Sequence, residues 1–452
     1  MQEATRSTQT GKHYISTIIT KDGFTDKPFI AVFLISALLY FSAIGLFVGR
    51  SNVASSAGKK LLASLDFKTG LVNCMAPVLL VFLMTECIFL SLFTIPVVTI
   101  HLAFWMIFIG GPIGAVMFFL PIHALFAIIA IAMLAIFYFL NFREIKKQAP
   151  RVSTIAGILL ANNFSFILYL FLSYLCLSFV LSIVVWCKTA VQIMPSSNEH
   201  YLLAMCMTVL SSVTAAGTLI FLGYCSDVYF ARIVFAHIRN RAAGSPRTNF
   251  TSAITRVFRS FGTIYIGTLL YLVILLARML ARTLFERVTR NNNNEGSVGL
   301  MIIAYVLYFV VSCILYLLEI AVDTVNTHVM VYSALFGTGY SKSMKGASDA
   351  IKAQTSYRYA LLFSSIVFIA VSQLVMPVLI YGSAALATTA GGAAKSLVFG
   401  ASELALYRYT MFIVLCLIAF DSIMSGFLSF ELINSIDPQL IQTVYPKLAA
   451  TS

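Results

Sequence analysis

The stretch that decides the fold is Val298 to Phe336, VGLMIIAYVLYFVVSCILYLLEIAVDTVNTHVMVYSALF. It begins as an apolar run long enough to cross a hydrocarbon core about 30 Å thick, which takes roughly 20 residues of helix. Without a helix breaker it then brings in Glu319, Asp323, Asn326 and His328. An apolar helix that keeps its period while gaining acids and an amide is either leaving the membrane or lining a polar space inside it.

The same apolar character extends outward along the chain. Of its 452 residues, 60% are hydrophobic and only 10% charged, against about 25% charged in a soluble domain, and the mean hydropathy is +0.92. Lipid offers the backbone no hydrogen-bond partners, so the spans should be helices; the short alternating segments of an outer-membrane barrel do not occur. The sequence predicts an all-α, polytopic integral membrane protein with about ten transmembrane helices and both termini cytosolic. Its parts are an N-terminal cytosolic tail over 1–27, a membrane domain over 28–433 and a C-terminal cytosolic tail over 434–452.

The spans are expected near residues 28–48, 71–94, 96–118, 120–141, 164–186, 201–230, 261–280, the opening stretch, 359–381 and 407–430. The charged run Asn141 to Lys147 ends the fourth span, Asn291 to Asn294 forms an exposed turn, and Tyr169 and Tyr174 join Trp186 as interface anchors. With ten spans, most of the 30 Lys and Arg residues fall on the side of the termini, including Arg232, Arg239, Arg241, Arg247, Arg256 and Arg259. That bias puts this side in the cytosol. The formal net charge of +13 would suggest nucleic acid in a soluble protein. Here the bases sit in short loops, where anionic lipid headgroups and topology account for them, so membrane lipids are expected as partners and nucleic acid is not. The eight cysteines include no C-x-x-C pair and read as packing residues. No spacing suggests a metal site, a nucleotide loop or a nucleophilic triad, so neither a cofactor nor an enzymatic activity is expected.

Polar groups inside apolar spans carry the functional argument, because a mid-bilayer acid costs at least about 2.5–3.5 kcal/mol on insertion scales. Glu86 is the one charge between Leu71 and Leu140. It serves a substrate or proton, or pairs with a structural partner such as Arg278. Glu319 and Asp323 stand at i and i+4, with Asn326 continuing the same helix face at i+7. That face is the acidic wall of a cation pathway, or it lies at the interface, solvated or paired with Lys342 and Lys345. Arg278 either snorkels to the headgroups or pairs within the membrane. Trp105 and Tyr305 are candidates for an aromatic cage. Asp421 lines a cavity or bonds a neighbouring helix. The end of the opening stretch reads as an interfacial helix, with Asp323 at an inner gate and Gly337 and Gly339 as its hinge.

Two runs resemble a known family. Ser260-Phe261-Gly262-Thr263-Ile264-Tyr265-Ile266-Gly267-Thr268, after an aromatic span end and an arginine-rich loop, resembles a signature of the choline transporter-like family of solute carriers. Leu318-Glu319, Asn326, Gly337-Thr338-Gly339-Tyr340-Ser341-Lys342-Ser343 and Ala347-Ser348-Asp349-Ala350 look like a second. His328 stands where the family tends to have Asn, and Ser341 where it tends to have Cys. The resemblance covers the second half of the chain in patches and implies a divergent member. What it implies is alternating-access transport of choline or a related organic cation, with the plasma membrane as the expected site and an endomembrane as the alternative. Glu86, Glu319, Asn326, Trp105 and Tyr305 are then the expected substrate contacts. A reading of another class is a non-transporting scaffold or trafficking adaptor that recruits partners through the basic cytosolic loops.

Overall fold

The computed structural model describes residues 23–50, 67–102, 104–105, 108, 121–193, 200–242, 244, 250–292, 298–353, 418 and 424–446. They are almost entirely helical, with no strand among the described residues. The helices are α1 Lys27–Arg50, α2 Phe67–Thr94, α3 Pro121–Leu160, α4 Asn163–Ile193, α5 Tyr201–Ala242, α6 Phe250–Arg259, α7 Phe261–Asn292, α8 Val298–Phe336, α9 Tyr340–Ala353 and α10 Pro438–Val444; residues 424–436 are helical too. Among the described residues, five stretches are long and apolar enough to cross a membrane: Lys27–Phe47, Asn163–Lys188, Tyr201–Ala242, Phe261–Arg287 and Tyr305–Phe336. The chain is thus a helical, multi-pass membrane protein. The expected span over 359–381, most of that over 407–430, the Gly110-Gly111-Pro112 breaker and Asp421 lie outside the described residues.

Several helices run further than the apolar segments within them. The fourth span was expected to stop at Asn141, yet α3 continues to Leu160 with Pro150 inside it. Lys, Arg, Glu and Gln are good helix formers, so a charged run marks where lipid ends and not where the helix ends. The extension is held by burial of Ala149, Val152, Ile155, Ala156 and Leu159. Likewise α7 runs through Asn292, into the expected turn. α8 has 39 residues, about 58 Å at 1.5 Å per residue, roughly twice the hydrocarbon thickness.

These extensions converge at one end of the bundle. Ser153 at the end of α3 donates to the carbonyl of Phe93 near the end of α2. The Asn162 amide, between α3 and α4, meets His237 in the last turns of α5. Thr25, ahead of α1, donates from its backbone N–H to the Arg259 carbonyl that ends α6. The fully buried aromatic and aliphatic side chains concentrate here, from Val228 to Ile238 on α5, Val329 to Leu335 on α8 and Phe427 to Ile433. The C-terminal residues join this core: Ile441 and Val444 of α10 are buried, and Tyr445 lies beneath the Arg241 guanidinium, 4.9 Å from its ring centroid. Tyr169 and Tyr174, expected as interface anchors, are buried instead, and Tyr169 stacks on Tyr229 with ring centroids 4.6 Å apart.

The outer parts of the spans present Leu, Val, Ile and Phe outward, as Leu34, Leu38 and Leu39 do on α1 and Val306, Leu307 and Leu317 on α8. Lipid tails solvate such faces as well as a protein core would, so these parts need no burial inside the protein. Beyond the bilayer the apolar faces must be covered, and the helices cover one another there.

Candidate functional site

Three polar residues on α8, Glu319, Asp323 and Asn326, each find a partner on a neighbouring helix. At mid-span, Glu319 accepts from Tyr271 Oη on α7 at 2.8 Å and from Arg278 Nη1 at 2.6 Å. The Arg278 guanidinium also lies over the Tyr316 ring, 5.6 Å from its centroid. Arg278 therefore neither simply snorkels nor partners Glu86: it is the counter-cation of Glu319. One turn on, Asp323 accepts from Tyr224 Oη of α5 at 3.2 Å. Asp323 is exposed and has no ion-pair partner among the described residues. Asn326 is 0% exposed and fully committed. Its Nδ2 donates to Tyr224 Oη at 2.9 Å and to the Gly267 carbonyl of α7 at 3.1 Å, and its Oδ1 accepts from Tyr340 Oη of α9 at 2.6 Å.

Asn326 is thus the point where α5, α7, α8 and α9 are tied together. The solvated interfacial helix expected after it is not what forms. His328, Val329, Met330, Ser333 and Ala334 are buried, because this end of α8 lies within the converging core and not against headgroups. Lys342 and Lys345 are exposed, and the α8 polar face is met by Arg278 and by Tyr224, Tyr271 and Tyr340 in their place.

The turn from α8 to α9 shows why its glycines stand where they do. Gly337 has φ +70° and its N–H bonds back to the Ser333 carbonyl at 2.9 Å, the left-handed C-terminal cap that glycine adopts without a Cβ penalty. Ser333 O also accepts from the buried Arg256 Nη2 of α6 at 2.6 Å, a cation at the negative end of the α8 dipole. A Cβ on Gly339 would lie 2.5 Å from Asp26 Oδ1, and that contact identifies a residue the sequence reading passed over. Asp26 Oδ2 accepts from the Tyr340 N–H that opens α9 at 2.7 Å and from Thr263 Oγ1 at 2.7 Å. A Cβ on Gly262 would meet the Asp26 and Thr25 carbonyls at 2.4 and 2.5 Å, so the segment before α1 crosses α7 where glycine leaves room.

The remaining expected contacts lie elsewhere. Glu86 sits half-buried on α2, which packs against α3 and α4, and its Oε1 is buried with no hydrogen-bond partner among the described residues. Trp105 Nε1 donates to His101 Nε2 at 3.1 Å, and His101 Nδ1 lies 2.9 Å from Tyr138 Oη; these rings form a local aromatic cluster with Phe104, which stacks on Tyr138 at 3.8 Å. Tyr305 is 48% exposed and meets Phe285 edge-on at 5.4 Å. Glu319, Asp323 and Asn326 are brought together, therefore, while no hydrogen bond, ion pair or ring contact among the described residues joins Glu86, Trp105 or Tyr305 to them.

Other buried polar links went unsignalled in sequence. Asp227 of α5 accepts from Ser425 Oγ, Ser429 Oγ donates to the Ala231 carbonyl, and Arg151 of α3 pairs with Glu431 at 2.9 Å. Asp227 sits ahead of an aromatic run in which it looks like the end of a span, and only the partner serines reveal it. Asp26 looked like one more charge in a polar leader; the signals were Gly262 and Gly339, each far away in sequence. No family model and no curated protein matches this chain.

Proposed function

We propose that this protein moves choline or a related quaternary-amine cation across the membrane by alternating access, as a divergent member of the choline transporter-like family, with the converging end and both termini in the cytosol. One observation carries the reading. The run from Ser260 to Thr268 and the run from Glu319 to Tyr340 meet at Asn326, whose amide donates to the Gly267 carbonyl, and one turn before it stands Asp323, a carboxylate in an apolar span with a tyrosine partner and no basic one among the described residues. A trimethylammonium group has no N–H to donate and is held by aromatic faces and a nearby acid, each ring contributing about 0.5–2 kcal/mol. Arg278 neutralises Glu319, so the acid left to meet a cation is Asp323, with Tyr224 and Tyr271 beside it. Glu86, with a buried unpartnered oxygen, is the second candidate and suits proton or cation coupling. The plasma membrane is the proposed site.

The scaffold reading draws less support. It needs the arginines of the 232–259 segment free for partners, yet Arg256 is bound to the Ser333 carbonyl, Arg232 donates to Ser252 and Arg241 covers Tyr445.

Uptake of labelled choline into proteoliposomes tests the proposal. Wild type is expected to accumulate label above empty vesicles, and Asp323→Asn to lose about tenfold or more in kcat/KM, equivalent to about 1.4 kcal/mol of cation binding. Glu86→Gln should chiefly alter the response to an imposed pH gradient. Absence of uptake by wild type in either gradient direction refutes the transport reading, and wild-type kinetics in Asp323→Asn remove that acid from the site.

A further inference from the structure

Asp26 occupies the left-handed region, with φ +48°, the only non-glycine residue to do so among the described residues. Asp tolerates this conformation better than most residues, but it persists only where the surroundings hold it. Here they do. Thr25 N–H and Thr25 Oγ1 both reach the Arg259 carbonyl, at 2.9 and 3.2 Å. Thr263 Oγ1 lies 2.8 Å from Thr25 Oγ1 and donates to Asp26 Oδ2. The carboxylate sits on the first N–H of α9 and acts as its N-cap from 314 positions away, at the positive end of that helix dipole.

From there a hydrogen-bond relay leads into the membrane. Tyr340 gives its N–H to Asp26 and its hydroxyl to Asn326; Asn326 gives its amide to Tyr224; Tyr224 gives its hydroxyl to Asp323. Each member is fixed by the one before it, and the relay begins on a polar segment that apolar packing does little to retain: Gly23 and Phe24 are exposed, and Phe24 is 56% so.

We infer that the segment Gly23–Asp26 is a latch: seated between Gly262 and Gly339 it holds α9 and, through Tyr340 and Asn326, keeps the end of α8 closed beneath Asp323, and its release opens that end. What the latch gates rests on the transport reading; the latch itself does not. Two glycines are needed for the seat, because the carboxylate and its backbone come closer than any Cβ allows. A hydrogen-bonded seat without an apolar plug is one that can open without unfolding the core beside it.

The test uses the detergent-solubilised full chain, without substrate. Val329, 0% exposed and one turn beyond Asn326, is replaced as Val329→Cys and its reaction with a maleimide is followed by peptide-resolved mass spectrometry. A control reporter, Leu170→Cys, sits at a 0% exposed position on α4. Adding Asp26→Ala is expected to speed labelling at 329 at least tenfold and leave 170 unchanged. Thr263→Val, which removes one donor at constant volume, should act in the same direction and more weakly, and it serves as the probe where Asp26→Ala does not fold. Unchanged labelling at 329 in the folded variants overturns the latch, and so does equal acceleration at both reporters, which would mean general destabilisation. Because no transport is measured, failure here is separate from failure of choline uptake.

Discussion

Asn326→Ala is expected to lower the unfolding free energy of the detergent-solubilised protein by about 3 kcal/mol, through the buried Tyr224 and half-buried Tyr340 hydroxyls left without their amide partner and the cavity beside them. Asn326 is completely buried and exchanges hydrogen bonds with Tyr224, Gly267 and Tyr340, on three other helices. A large side chain's worth of apolar area is not at stake, so the effect must come from unsatisfied polar groups. Tyr340→Phe removes one of these bonds and should cost about 1 kcal/mol alone, but much less in the Asn326→Ala background, since its partner is already gone. Denaturant titration of the two single variants and the double variant reads this directly. Strict additivity would show that Asn326 and Tyr340 do not act as one unit.

Arg151→Ala has the second large effect, at the other side of the same core. Glu431 is 2% exposed and pairs with Arg151 at 2.9 Å. Burial pushes the Glu431 carboxyl above the usual carboxylate range, and Arg151 pulls it part of the way back. Removing the arginine takes this counter-charge from a buried carboxylate and is expected to cost about 3 kcal/mol at neutral pH. The pH dependence has a definite sign. A carboxyl whose folded pKa exceeds its unfolded value binds more protons when folded, so it contributes stability at low pH that is lost as pH rises through that window. Loss of Arg151 raises the folded value further and widens the window. Acidification should therefore recover part of the loss in Arg151→Ala, and Arg151→Ala with Glu431→Gln should recover it at neutral pH. A pH-independent deficit in the single variant would assign the effect to lost packing by the arginine stem instead.

Composition and apolar run length by themselves determined that this chain is a helical membrane protein, and they marked the apolar stretches of α1, α4, α5, α7 and α8 that are long enough to cross a bilayer. They did so because the bilayer imposes one length and one polarity on any segment that crosses it. The i, i+4, i+7 spacing likewise put Glu319, Asp323 and Asn326 on one face of α8, since helical periodicity is a local property. What that face meets was beyond its reach. Only the tertiary structure decided that Arg278 belongs to Glu319 and leaves Asp323 without a base among the described residues, that α3 and α8 run on past their apolar stretches into a shared core, and that Asp26 caps a helix more than 300 residues later. These are choices among partners of equal chemical suitability, and they are settled by which helix ends converge and where Gly262 and Gly339 allow two backbones to touch.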